Sequence, residues 1–263
     1  MGERKKYHRG RRKKKKGGII STLILIIAIA VFCVSGYQLY KIFGGYHQGK
    51  SEYDKVREVA VHGDDKDEDE FVVDFDELKK INADTVGGIR FYPEPSQISY
   101  PLVQTTDNDL YLNRTFSANE NTVGAIFVNC DNASDFSDRN TIIYGHRMRD
   151  HSMFHDLEKY KDESFWKENP YFYIYTPDGR KLTCHIYSAG IVKDTSSTYL
   201  TQFASDEEYQ AFLDDTKRAG AYHTGVEVTT DQRVVTLSTC TAGSDDNRMV
   251  VRGVIESEDV VKK

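Results

Sequence analysis

The sequence predicts a mainly β chain with a few decorating helices, folded as a mixed barrel behind one N-terminal apolar helix. Three observations predict it. Short β-branched or aromatic runs recur seven or eight times after Phe71. Only two or three helical patterns interrupt them. Strands and helices also fail to alternate in the regular way a doubly wound parallel sheet requires.

The chain opens on a basic head. Residues 1–16 carry ten Lys and Arg against the single acid Glu3, so with a total charge of −6 the remainder holds −15. So acidic a body is unsuited to nucleic acid. Ile19 to Gly36 follows, eighteen residues without a charge. As a helix it spans about 27 Å, close to the hydrocarbon thickness of a bilayer. Tyr37, Tyr40 and Lys41 suit the membrane interface. Ala28-Ile29-Ala30 resembles a signal cleavage site, but the apolar run continues past it and favours an uncleaved anchor. Bulky Phe32 before Cys33 argues against a lipoprotein site. Positive residues stay inside, so the expectation is a single-pass cell-membrane protein with a cytoplasmic head (1–18), an anchor (19–43) and an extracellular remainder. Residues 44–70 read as a stalk, with helix-compatible SEYDKVREVAVHG followed by the acidic block Asp64 to Glu70.

Residues 71–263 are globular in pattern. FDELKKINADTVGGIRF reads as a short helix, a Gly-Gly turn and a first strand. Further strands are expected at 98–104, 123–130, 140–146, 171–176, 181–192, 233–240 and 248–255, with TPDG (176–179) as a turn. Helical patterns occupy 153–160 and 205–220. In the second, Tyr209, Phe212 and Leu213 have i, i+3, i+4 spacing, Ser205 suits the N-cap and Gly220 the stop.

Of the four cysteines, Cys33 lies in the anchor and reads as apolar filling. Cys130 and Cys184 are either a disulfide, which an extracellular compartment permits, or two buried thiols on strands. Cys240 is then the candidate free thiol. It closes the alternating run RVVTLSTC, where a strand stops and a loop opens. A nucleophilic thiol needs access, a base and a stabiliser for the developing oxyanion. Among eight histidines, His146 alone ends a β-branched strand directly after a glycine, in TIIYGHRM. Arg248 opens RMVVRGVI eight residues after Cys240, where a tight loop sets a guanidinium beside the thiol. Residues 248, 250 and 252 share one strand face. Each residue also has a plain structural reading, and only the three together favour chemistry. His151 and His155 have i, i+4 spacing, but no adjoining cysteine or acidic motif completes a metal set, and they read as surface histidines. TLSTCTAGS lacks the glycines and lysine of a phosphate loop. No cofactor is expected.

NTIIYGHRM, TLSTC and RMVVRG, with DNDLYL, GAIFVN and MFHDLEKY, resemble the class B sortases over roughly residues 72–256. The resemblance implies a closed eight-stranded β-barrel with decorating helices. It also implies a cysteine transpeptidase that joins secreted proteins to the Gram-positive cell wall. Cys240 would attack the threonine carbonyl of a C-terminal sorting motif and form a thioester. His146 would protonate the leaving amine and then help activate a peptidoglycan-precursor amine. Arg248 would orient substrate and stabilise the oxyanion. Ser238, Thr239, Tyr144 and Asn108 would line the groove, and the Thr198-Tyr199 loop would recognise the motif. The implied partners are sorting-motif proteins, the precursor amine and the membrane. Two positions depart from the family pattern: Gly88 stands where class B members commonly have Trp, and Thr241 where some have an acid. Alternative readings are a pilin-polymerising sortase with a protein lysine as acceptor, a hydrolytic cysteine protease, and a non-catalytic surface binding module whose Cys240 is packing.

Overall fold

The computed structural model describes residues 17–62 and 71–261. The basic residues 1–16 and the acidic block Asp64 to Glu70 lie outside the described residues. Two units divide the chain, Met1–Gly44 and Gly45–Lys263. Helix α1 runs Gly17–Ala60. Within the first unit its apolar side chains stand exposed, Phe32 at 79% and Ile24 at 62%. A helix this apolar (mean hydropathy 2.4 over its best window) fits a single-pass membrane anchor.

The second unit begins with the rest of α1, where the structure departs from the expected stalk. Residues 45–60 are helical and pack on the barrel, burying Val56 and Ala60 in a cluster with Leu78, Phe116 and Phe127. Polar partners fix the docking. Tyr53 Oη donates to the Gly124 carbonyl at 2.8 Å and accepts from Phe116 N, while Glu52 accepts from Ser117 N and Asn119 Nδ2. Those partners lie more than 60 residues away, so local pattern shows only a polar helix.

Beyond α1, β1 (Val61–His62) and β2 (Val72–Val73) pair as a small ribbon. Helix α2 (Phe75–Ile81) is capped by the Asp74 carboxylate, which accepts from Glu77 N. Eight strands then close a barrel: β3 (Thr85–Phe91), β4 (Ser99–Val103), β5 (Ile126–Val128), β6 (Asn140–Tyr144), β7 (Tyr171–Tyr175), β8 (Arg180–Lys193), β9 (Val234–Thr241) and β10 (Ser244–Val260). The circular order is β10-β8-β7-β3-β4-β5-β6-β9. Two contacts, β4–β5 and β6–β9, are parallel, and the others antiparallel. Closure leaves the barrel itself without a free edge. Ile89, Leu102, Ile126, Val235, Leu237, Met249 and Val251 fill one main core.

Helix α3 (Glu163–Glu168), which the sequence pattern missed, is a single short segment. The helix expected at 153–160 is a 3₁₀ segment, His155–Lys161. Helix α4 (Asp206–Arg218) starts where Ser205 accepts from Glu208 N, and buries Tyr209, Phe212 and Leu213. All four cysteines are free thiols, so of the two readings of Cys130 and Cys184 the unbonded one holds. Cys184 is fully buried and burial pushes its thiol well up, which makes it inert. Cys130 is half-buried rather than fully buried.

Candidate active site

Register builds the site. β9 and β10 form a hairpin in which Cys240 pairs directly with Arg248, so their side chains leave the same face of adjacent strands. A bulge makes this possible: Ser244 pairs with Thr241, and residues 245–247 are then skipped before Arg248 meets Cys240. Gly243 turns the hairpin at φ +83°. Thr241 sits here with its hydroxyl 3.4 Å from the Asn247 carbonyl and 3.5 Å from that of Ser244. Arg248 is three-quarters covered, with Nη1 donating to the Asn247 carbonyl at 3.1 Å and Nη2 3.7 Å from Asp194 Oδ2. Cys240 is exposed.

On the other flank, β9 runs parallel to β6, with Tyr144 paired to Ser238. His146 lies two residues past the end of β6. Its Nε2 is 2.7 Å from the Leu112 carbonyl. A carbonyl only accepts, so Nε2 carries a proton, and Nδ1 is the atom left to take or give one. Gly124 (φ +66°) lies against the ring: a Cβ there would come within 2.7 Å of His146 Cδ2 and 2.8 Å of the Tyr111 carbonyl. The glycine is what allows the imidazole to reach Leu112.

Asn108, Leu112, Phe127, Tyr144, His146, Ser238, Cys240 and Arg248 border one groove of about 240 Å³. Tyr199 reaches it from the 3₁₀ turn Ser197–Tyr199: its hydroxyl meets Ser238 Oγ at 2.8 Å and its ring stacks on Tyr144, centroids 6.3 Å apart. Burial, with Tyr199 beside it, pushes the Tyr144 phenol up to about 12, and burial likewise raises Tyr199. Both therefore remain protonated at neutral pH. Asn108 accepts from Cys130 N and contacts Asn129, which donates to Tyr144 Oη at 3.3 Å.

Thr239 also belongs to the groove lining, as expected. Strand alternation turns its side chain inward with Leu237. Its hydroxyl is buried and has no hydrogen-bond partner among the described residues. Of Ser238 and Thr239, it is Ser238 that shares the face of Cys240.

Arg252 was not singled out by sequence reasoning, although it shares the face of Arg248. It is fully buried. Its guanidinium donates to Thr198 Oγ1 (2.6 Å) and Ser188 Oγ (3.0 Å), and reaches the Thr216 carbonyl at 3.5 Å. Asn140 donates to the carbonyls of Thr198 and Leu200. Together they hold the turn that delivers Tyr199. Burial lowers the Arg252 pKa from its ordinary value.

Residues 95–256 match the sortase domain family. A sortase B of Listeria monocytogenes is 31% identical over 242 residues, 88% of this chain and 94% of its own length. The sortase B–substrate complex of Staphylococcus aureus superposes with a TM-score of 0.64 at 34% identity, covering 72% of this chain and 85% of that one. Sortase B from Bacillus anthracis gives 0.70 at 32% identity, covering 84% and all of the other chain. A thiol, an imidazole and a guanidinium at one barrel groove thus occur in a chain that belongs to the sortase family, as a class B enzyme.

Proposed function

We propose that this sortase is a cysteine transpeptidase that cuts a C-terminal sorting motif at its threonine carbonyl and passes the acyl group to a cell-wall amine. The observation that carries the reading is the direct pairing of Cys240 with Arg248 beside His146. His146 Nδ1 takes the thiol proton, and the Cys240 sulfur adds to the carbonyl carbon. The carbonyl oxygen becomes an oxyanion facing the Arg248 guanidinium. Nδ1 then returns its proton to the departing amine nitrogen as the C–N bond breaks, leaving a thioester. In the second half an amine of a peptidoglycan precursor loses a proton to the same nitrogen, attacks the thioester and restores the thiol. Among the described residues no carboxylate bonds His146: its Nε2 partner is a backbone carbonyl, which fixes orientation without holding the imidazolium as a triad carboxylate does.

Substrate enters along the groove between Asn108, Tyr144, Tyr199 and Ser238, whose neutral hydroxyls and amides suit an extended peptide. The substrate complex of the Staphylococcus aureus relative supports this peptide class. The apolar part of α1 anchors the enzyme, with the basic head in the cytoplasm and the catalytic unit outside. Mass spectrometry of the full-length chain after incubation with a small library of sorting peptides tests the proposal. The expected adduct is on Cys240, with a mass that ends at threonine, and is absent from Cys240→Ala. An adduct elsewhere, or turnover by the alanine variant, would overturn it.

A further inference from the structure

The loop that follows His146 carries a second cluster of chemical groups. It leaves β6, turns back through His151 (φ +67°) and Met153 (φ +58°), and closes on itself where Arg147 bridges Met153 and Phe154 N bonds the His146 carbonyl at 2.9 Å. His151, His155 and Asp156 converge there, with ligand-capable atoms all within 4.8 Å of one another. His155 is not the surface histidine that its spacing suggested: it is 8% exposed, and Asp156 is 3% exposed.

We propose that His151, His155 and Asp156 bind one divalent transition-metal ion of the zinc class. Three features carry this. First, His155 Nδ1 lies 2.5 Å from the Met148 carbonyl, so it bears the proton and Nε2 keeps its lone pair. An imidazole with one nitrogen donating to a backbone carbonyl is the arrangement that metal-bound histidines show. Second, Lys159 holds Asp156 Oδ2 at 2.9 Å while Oδ1 faces His151 Nδ1 at 3.4 Å. Tetrahedral zinc, with bonds of about 2.0–2.1 Å, places its ligands about 3.3 Å apart, so this edge is already set. Third, the His151 side chain is 66% exposed, and gives the ion a route in and a place for a water as fourth ligand. Two imidazoles and one carboxylate select zinc-like ions over magnesium or calcium, which take oxygen ligands. The bound ion would clasp the loop that closes behind His146.

The test is calorimetric titration of ZnCl₂ into the full-length chain in detergent. Cys130→Ser and Cys240→Ser are included so that accessible thiols do not compete. One equivalent should bind saturably, and MgCl₂ should not bind. His151→Asn should weaken zinc binding at least about tenfold. That residue is exposed and Asn tolerates positive φ, so the metal-free melting temperature should match the parent. Asp156→Asn should weaken binding similarly. Absence of saturable zinc uptake, unchanged affinity in His151→Asn, or equal binding of magnesium would overturn the proposal and leave a hydrogen-bonded histidine–carboxylate cluster.

Discussion

Arg248 stands directly opposite Cys240 across the β9–β10 ladder. Paired residues of an antiparallel ladder have Cα atoms about 4.5–5.5 Å apart and project side by side. A charge placed there acts on whatever bonds to the sulfur. Arg248→Ala should lower kcat/KM for a sorting peptide by about 10²–10³-fold, the usual cost of one oxyanion donor. Arg248→Lys should recover little, because an ammonium lacks the planar fork. Steady-state kinetics on both variants measures this, and near-parental activity in the alanine variant would remove Arg248 from the chemistry.

Gly124 connects α1 to the imidazole. Its carbonyl accepts from Tyr53 of the docked helix, and its Cα packs against His146. Gly124→Ala adds a methyl within 2.7 Å of the ring at a positive φ. It should cost about 1–2 kcal/mol in stability from the backbone alone and lower kcat far more than it raises KM. Tyr53→Phe, which only removes the hydroxyl, should give a smaller kcat loss in the same direction. If Tyr53→Phe destabilises the protein but leaves kcat intact, the docked helix supports the fold and does not position His146.

The barrel was legible because its strands alternate: β6, β9 and β10 are visible as β-branched runs, and Cys240 and His146 as the residues that end two of them. The same period, carried back from Cys240, places Thr239 on the inner face, a step that proximity in sequence obscured. What stayed hidden depends on distant partners. Residues 45–60 read as a helix-compatible part of a stalk because Glu52 and Tyr53 find their partners at 116–124. Nothing local marks Arg252, whose acceptors come from β8, α4 and the 197–199 turn. His155 reads as a surface histidine until a 3₁₀ turn swings it against Met148.

Gly88 lies mid-strand in β3, where class B members commonly carry Trp, and borders a small apolar cavity of about 30 Å³ between α1, α2, β3 and β4. A Cβ there would meet only the Tyr100 carbonyl, at 3.8 Å. Gly88→Ala should therefore stabilise the enzyme by about 0.5–1 kcal/mol through lower unfolded-state entropy. Chemical denaturation measures it, and a loss of stability would mean the strand depends on the glycine's freedom.

Tyr144 and Tyr199 give the site a pH signature. Burial raises both phenols, Tyr144 to about 12. The folded state thus holds these protons more tightly than the unfolded chain, whose phenols titrate near 10. Their contribution to stability is whole below about pH 10; the Tyr144 part is lost as pH rises toward 12, and the Tyr199 part is lost in the same direction. Ultraviolet titration should show late, cooperative phenolate formation in the native enzyme. In Tyr144→Phe that late fraction should shrink. Titration of Tyr144 at the ordinary value would show that the groove is wetter than its packing indicates.

Arg252 tests whether the Tyr199 turn matters to catalysis or only to folding. Arg252→Met keeps much of the volume but leaves Thr198 Oγ1, Ser188 Oγ and the Thr216 carbonyl without their charged donor. Ser188 Oγ still donates to the Thr216 carbonyl at 2.6 Å, so the main loss is the donor to buried Thr198 Oγ1, worth about 1–3 kcal/mol and partly offset because the guanidinium no longer has to be desolvated. Freed of its tether, the turn should present Tyr199 less often to Ser238, so KM for the peptide should rise while Cys240 alkylation by a small reagent stays at the parental rate. A rise in KM accompanied by a changed alkylation rate would show that Arg252 holds the barrel wall itself, and with it the strand that carries Cys240.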